Sequence, residues 1–165
     1  MRNARNGRKP ASPVLAWMFG TRAGGFFVPL ALTRFALGSF FFASGFNKLF
    51  VDANRNAMLE TISEAGIWWP QAMAPFVAGC ETAFGALLAI GLLSRVSAAI
   101  LLPISTTALL TVGVHQIPEG QNALGWYSWL LYLPETLYML LSLTIIVQGS
   151  GPLGLDRLVH RSLSP

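Results

Sequence analysis

Charge is what this sequence has least of. Only 11% of its 165 residues are Asp, Glu, Lys or Arg, while 53% are hydrophobic. A soluble domain carries about 25% charged residues. So few charges cannot cover the surface of a small globule, which excludes a soluble enzyme and a disordered tail. The excess apolar side chains must face lipid. Cysteine is nearly absent too: Cys80 stands alone. That excludes an intramolecular disulfide, a Cys-rich zinc site and an iron–sulfur cluster held by this chain by itself. Cys80 reads as a small packing residue. Neither a glycine-rich phosphate loop nor catalytic-triad spacing nor a metal-ligand cluster is present, so no catalytic residue is assigned and no metal is expected. His115 ends an apolar segment and His160 lies in the tail, which leaves no intramembrane pair for a bis-histidine haem.

Four long apolar segments are present, at about residues 26–50, 72–93, 96–114 and 129–148. A helix needs about 20 residues to cross the hydrocarbon core of a bilayer. Membrane strands alternate in polarity over about 10 residues, and these segments do not alternate. The expected fold is all-α: a polytopic four-transmembrane-helix bundle over 26–148, with a basic arm at 1–25 and a C-terminal tail at 149–165. Between the first two spans, Asp52 to Gly66 reads as a short amphipathic helix with Met58, Leu59, Ile62 and Ala65 on one side. Ser94-Arg95 marks a tight hairpin between the second and third.

The basic residues set an orientation. Arg2, Arg5, Arg8, Lys9 and Arg22 crowd the first 22 residues without one acid. With Arg95, Arg157 and Arg161 they place eight cations on one side, against Lys48 and Arg55 on the other. The positive-inside rule then predicts N-in, C-in topology. Trp68, Trp69, Trp126, Tyr127 and Trp129 would form the outer aromatic belt. Val14 to Phe19 is too short for a secretory signal core and is followed by Arg22. A basic arm on an apolar body points to membrane orientation and not to nucleic acid.

Ionisable groups inside a membrane cost about 2.5–3.5 kcal/mol each on insertion scales. Arg34, Glu81 and Glu135 fall within spans, and Lys48 near the end of the first. Arg34, Gly38, Phe41, Gly45 and Lys48 share one helical face about 80° wide. Glu81, Gly85, Leu88, Leu92 and Arg95 repeat the same steps on the second span. Both stripes should face the bundle interior, with glycine allowing close approach. Depth counted along each span predicts the pairs Arg34–Glu81 and Lys48–Glu135. These pairs either fix helix register or line a proton path or polar pocket for a small amphiphile. Thr107 and Thr111, on one face with His115, are expected to bond the preceding turn's carbonyls.

The stretches Arg34-Phe-Ala-Leu-Gly38 and Gly45-Phe-Asn-Lys48-Leu49 resemble the opening of the DoxX family. So do Gly79-Cys-Glu81 and Gly91-Leu-Leu-Ser-Arg95. The ending Gly149-Ser-Gly151-Pro152-Leu-Gly-Leu155-Asp156-Arg157-Leu158 resembles its closing signature, with Gly154 where the family often has Ser. The resemblance implies a small bacterial inner-membrane protein. It further implies an accessory or anchor subunit of a redox-linked complex, associated with quinone or sulfur chemistry. A bound quinone and a protein partner or homo-oligomer would be its associates besides the bilayer. The alternatives are a small-solute transporter or channel-like oligomer, and a purely structural assembly factor.

Overall fold

The computed structural model describes residues 27–151 and 153–157, and no strand occurs among them. The basic arm and the tail beyond 157, with His160 and Arg161, lie outside the described residues. Helix α1 is Phe27–Phe50, α2 is Asp52–Glu64 and α3 is Pro70–Ile90. Helix α4 is Ser94–Thr111, followed by a 3-10 turn at Gly113–Gln116; α5 is Ala123–Tyr132 and α6 is Pro134–Gln148.

Three stretches are long and apolar enough to cross a membrane: Val28–Phe50, Pro70–Ile90 and Ser94–Gln116. The fourth expected span is not one helix. The chain from 123 to 148 is helical in two pieces, α5 and α6, bent by 69° at Leu133. Proline disfavours helical geometry in the residue before it, and Leu133 is extended, at φ −72° and ψ 129°. Hydropathy does not register such a break, because Leu133 and Pro134 are both apolar. Helix α5 also starts earlier than expected, where the Asn122 side chain accepts the Gly125 N–H at 2.7 Å. Alone, the 15 residues of α6 rise about 22 Å, short of the ~30 Å hydrocarbon core.

Among the described residues, helices α1 and α3 form the most extensive packing, and glycine is the cause. A Cβ on Gly38 would overlap the backbone of Ala89 and Gly85, and one on Gly85 would overlap that of Phe42. A Cβ on Gly45 would lie 2.5 Å from the Ala78 carbonyl oxygen. In lipid there is no hydrophobic drive between helices, so such backbone-to-backbone contact is what holds the pair together. It also fixes an antiparallel register: Gly45 is level with Ala78 and Thr82, Gly38 with Gly85 and Ala89.

A second pair, α4 with α6, packs beside the first. Leu37, Phe41, Leu88, Ala98, Leu101 and Ile145 form the shared core. The hairpin between α3 and α4 turns through Gly91 (φ 75°) and Leu93 (φ 52°). Positive φ is ordinary for glycine but costs other residues about 1–2 kcal/mol, so Leu93 must be held there. Helix α2 follows α1 directly and rests on α1 and α3. Its Ile62 is buried, Met58 and Leu59 are half-buried, and Ala65 is exposed. Helix α5 buries no residue, and its Trp126, Tyr127 and Trp129 point outward, as do Trp68 and Trp69 before α3.

Candidate functional site

The two charged stripes do face inward. Arg34, Gly38, Phe41 and Gly45 are buried on α1, as are Glu81, Gly85 and Leu88 on α3. The pairing along them differs from the expected one. Glu81 is bound by Lys48, whose Nζ donates to Oε1 at 2.8 Å and Oε2 at 2.7 Å. The Ser44 hydroxyl adds a third hydrogen bond to Oε2 at 3.2 Å.

The register explains the correction. Glycine packing places Glu81 level with Ser44, one turn from Lys48 and ten residues from Arg34. Ten residues are about 15 Å of helix rise, beyond the reach of a side chain. Side chains lean toward the N-terminus of their own helix. On antiparallel helices, Lys48 therefore leans back toward Ser44 while Glu81 leans toward the level of Lys48. Counting depth from apolar boundaries missed this, since α1 overhangs the end of α3.

Arg34 sits instead at the far end, against Gly91 and Gly154, where a Cβ on either glycine would overlap its guanidinium. Its Nη1 donates to the Ser150 carbonyl at 2.8 Å. Asp156 is 1% exposed and accepts the Leu93 N–H at 2.6 Å and the Ser94 N–H at 3.1 Å. Its own N–H donates to the Gly91 carbonyl at 2.9 Å. The carboxylate thus lies on the N-terminus of α4, where the helix dipole favours an anion, and it holds Leu93 in its strained conformation. Arg95 Nη2 donates to the Val147 carbonyl at 3.3 Å. The tail, the hairpin and the start of α1 form a closed polar clasp. Asp156 stood in the sequence only as part of the ending that resembles the family's closing signature, and its structural role was missed; its neighbours in space are 62 and 63 residues away.

At the opposite end a cavity of about 1010 Å³ opens between α1, α3 and α4, under α2. Most of its wall is apolar, from Phe40, Met58, Ile62, Val77 and Ile104 among others. Three of the four charged residues singled out in the sequence reach it: Lys48, Glu81 and Glu135. Glu135 stands in the first turn of α6. It does not pair with Lys48; its Oε2 is buried and has no hydrogen-bond partner among the described residues. Thr107 and Thr111 also line the space, and the Thr111 hydroxyl donates to the Thr107 carbonyl at 2.8 Å, as expected of an intrahelical threonine. His115 is exposed in the 3-10 turn. Among the described residues no group of three or more His, Cys, Asp and Glu could hold a metal.

The family model for DoxX matches residues 29–116, more than half of the chain. The chain belongs to the DoxX family. The match contains Arg34, Lys48 and Glu81, whereas Glu135 and Asp156 lie beyond it. Neither the curated proteins nor the solved structures compared gave a match. Family and apolar helices together make this a membrane protein.

Chemically, the cavity is an apolar chamber with a neutralised ion pair. Lys48 is an ammonium with three donors, two of which are directed at Glu81. The third can meet the polar head of a guest, whereas Glu135 Oε2 has almost no exposed surface and lies beside Gly113.

Proposed function

We propose that this DoxX protein is an accessory subunit of a redox-linked complex in the bacterial inner membrane, with both termini cytoplasmic, and that its cavity holds a quinone-class amphiphile. The observation that carries the reading is the cavity itself, with its apolar wall and Lys48–Glu81 pair. Small-molecule sites are typically about 300–1,000 Å³, mostly apolar, with a few convergent polar groups. A quinone head needs hydrogen-bonding groups and its isoprenoid tail needs apolar surface, and this chamber offers both. When bound, a quinone would supply the electron chemistry that the chain's own side chains lack. Lys48 would donate to a ring oxygen, Glu81 would hold Lys48 in place, and the apolar wall would exclude water. Electrons would come from a partner protein. Arg34 has no part in this, since it is spent on the clasp at the other end.

Purification of the intact protein in mild detergent, with mass spectrometry of co-purified proteins and extracted lipids, tests the proposal. A partner protein and a stoichiometric quinone are expected, and Lys48→Met should lose the quinone. A monodisperse chain carrying neither would overturn it. Glu81→Gln addresses proton transfer: if assembly and activity both survive, that carboxylate carries no proton.

A further inference from the structure

Helix α5 contributes nothing to the cavity wall and buries none of its residues. The chain has five Trp and three Tyr. Four of these eight, Trp126, Tyr127, Trp129 and Tyr132, fall within the ten residues of α5 and are exposed. The exposed side of α1 is made differently, from Val28, Leu32, Phe35, Phe42 and Phe46. Side chains without a polar atom suit the acyl core. Trp and Tyr join an apolar ring to one hydrogen-bonding group and collect where hydrocarbon meets headgroups. Within α5 the two kinds are segregated. Trp126, Trp129 and Tyr132 recur every three residues along one side, and Leu124 and Leu131 lie about 150° round the helix from them.

The bend fixes how α5 meets the bilayer. Its ten residues are about 15 Å long. At 69° to α6 they advance about 5 Å along the direction of that helix. The Thr136 hydroxyl donates to the Leu130 carbonyl at 2.7 Å across the bend. Leu130 also packs against the cluster of Leu109, Ile117 and Leu133, so the angle is held. Helix α6 exposes Leu137, Leu140 and Val147, and α5 joins it through Leu133 alone, so the lipid-facing surface continues onto α5. At the same end of the bundle Trp68 and Trp69 stand exposed before α3. We infer that α5 is a bilayer-surface anchor: it lies close to the membrane plane at the cavity end of the bundle. Its leucine side faces the acyl chains, and its Trp and Tyr side faces the glycerol and carbonyl groups of phospholipid. The occupant of this surface is lipid, and the inference does not depend on any guest in the cavity.

Depth-dependent fluorescence quenching tests this. The full chain with Trp17→Phe, Trp68→Phe and Trp69→Phe keeps Trp126 and Trp129 as its tryptophans. It is reconstituted in phosphatidylcholine vesicles whose acyl chains carry bromine near the carbonyl, midway, or near the methyl end. Quenching should be strongest with bromine near the carbonyl and fall steadily with depth, which places α5 about 10–15 Å from the bilayer centre. A reference chain, with every Trp replaced by Phe and with Phe42→Trp in the middle third of α1, should show the reverse order. Strongest quenching of the α5 chain by deep bromine would put the helix in the acyl core. Quenching at no depth would mean that protein covers it, whether a second copy or another partner. Either result overturns the inference. If the multiple variant does not fold, a nitroxide on Ser128→Cys in a Cys80→Ser chain reads the same depth. Oxygen and a water-soluble nickel chelate should both relax the label; relaxation by one alone, or by neither, overturns the inference as well.

Discussion

Removing the cation of the Lys48–Glu81 pair should cost more than removing the anion. The Glu81 side chain is 4% exposed and that of Lys48 29%. Lys48→Met leaves a buried carboxylate with the Ser44 hydroxyl as its remaining partner. Breaking a buried pair in this way costs about 3–5 kcal/mol. Lys48 is partly open to the cavity, which screens the pair, so the lower end applies: about 3 kcal/mol. Glu81→Met instead leaves an ammonium on a flexible stem that can turn its head into the cavity, at a cost of about 1–2 kcal/mol. Replacing both with Met restores an apolar contact of similar volume, and the double variant should lie within about 1 kcal/mol of the native protein. The two changes are then strongly non-additive, with a coupling of about 3–5 kcal/mol. Reversible unfolding in mixed mild-detergent and dodecyl sulfate micelles, followed by tryptophan fluorescence, measures all four corners of this cycle. Additive single costs, or a Glu81 variant less stable than the Lys48 one, would refute the reasoning.

Other expectations concern the scaffold. Asp156→Ala removes the acceptor of two N–H groups at the strained Leu93 turn, and should destabilise by about 2 kcal/mol in the same assay; Asn, keeping one acceptor, should lose about half as much. Gly38→Ala drives a methyl into the Ala89 backbone and should cost about 1–3 kcal/mol. Gly79, whose Cβ would meet nothing within 4 Å, is the control, and Ala there should be neutral or gain up to about 1 kcal/mol of helix propensity. Pro134→Ala permits α5 and α6 to join. Spin labels at positions 124 and 148 should then separate by about 6 Å, given helix rises of about 15 and 22 Å meeting at 69°. An unchanged distance would mean that packing, and not proline, makes the bend.

Much of this fold was legible because its signals are local. Continuous apolarity marked three spans nearly to their ends, and Gly66 closed the amphipathic helix with a φ of 66°. Steps of three and four residues placed Arg34, Lys48 and Glu81 on buried faces without any knowledge of neighbours. Pairing was not local. It depends on which glycine meets which backbone, and Gly38 with Gly85 and Ala89 sets a register that hydropathy does not encode. The same holds for Asp156, whose burial comes from a hairpin more than 60 residues earlier. The break at Pro134 was in view, but an apolar run conceals a change of direction. Glu135 was marked as a charge in need of an interior, and its partner was misassigned, since Lys48 is taken by Glu81.

The two ends of the bundle treat charge in opposite ways, and one follows from the other. At the clasp the charges are met by main chain: Arg34 donates to the Ser150 carbonyl, and Asp156 accepts from the Leu93 and Ser94 N–H groups, which ties the hairpin of α3 and α4 to the tail. At the other end α1, α3 and α4 leave the cavity between them, under α2. Charged groups in that half cannot turn outward, because lipid would penalise them, so they project inward. Lys48 and Glu81 neutralise each other there and Glu135 does not. A change at the clasp, such as Asp156→Ala, should therefore lower stability while leaving the amount of co-purified quinone per folded chain unchanged. Lys48→Met should lose the quinone. If Asp156→Ala loses it as Lys48→Met does, the two ends are coupled, and the division of labour between them is refuted.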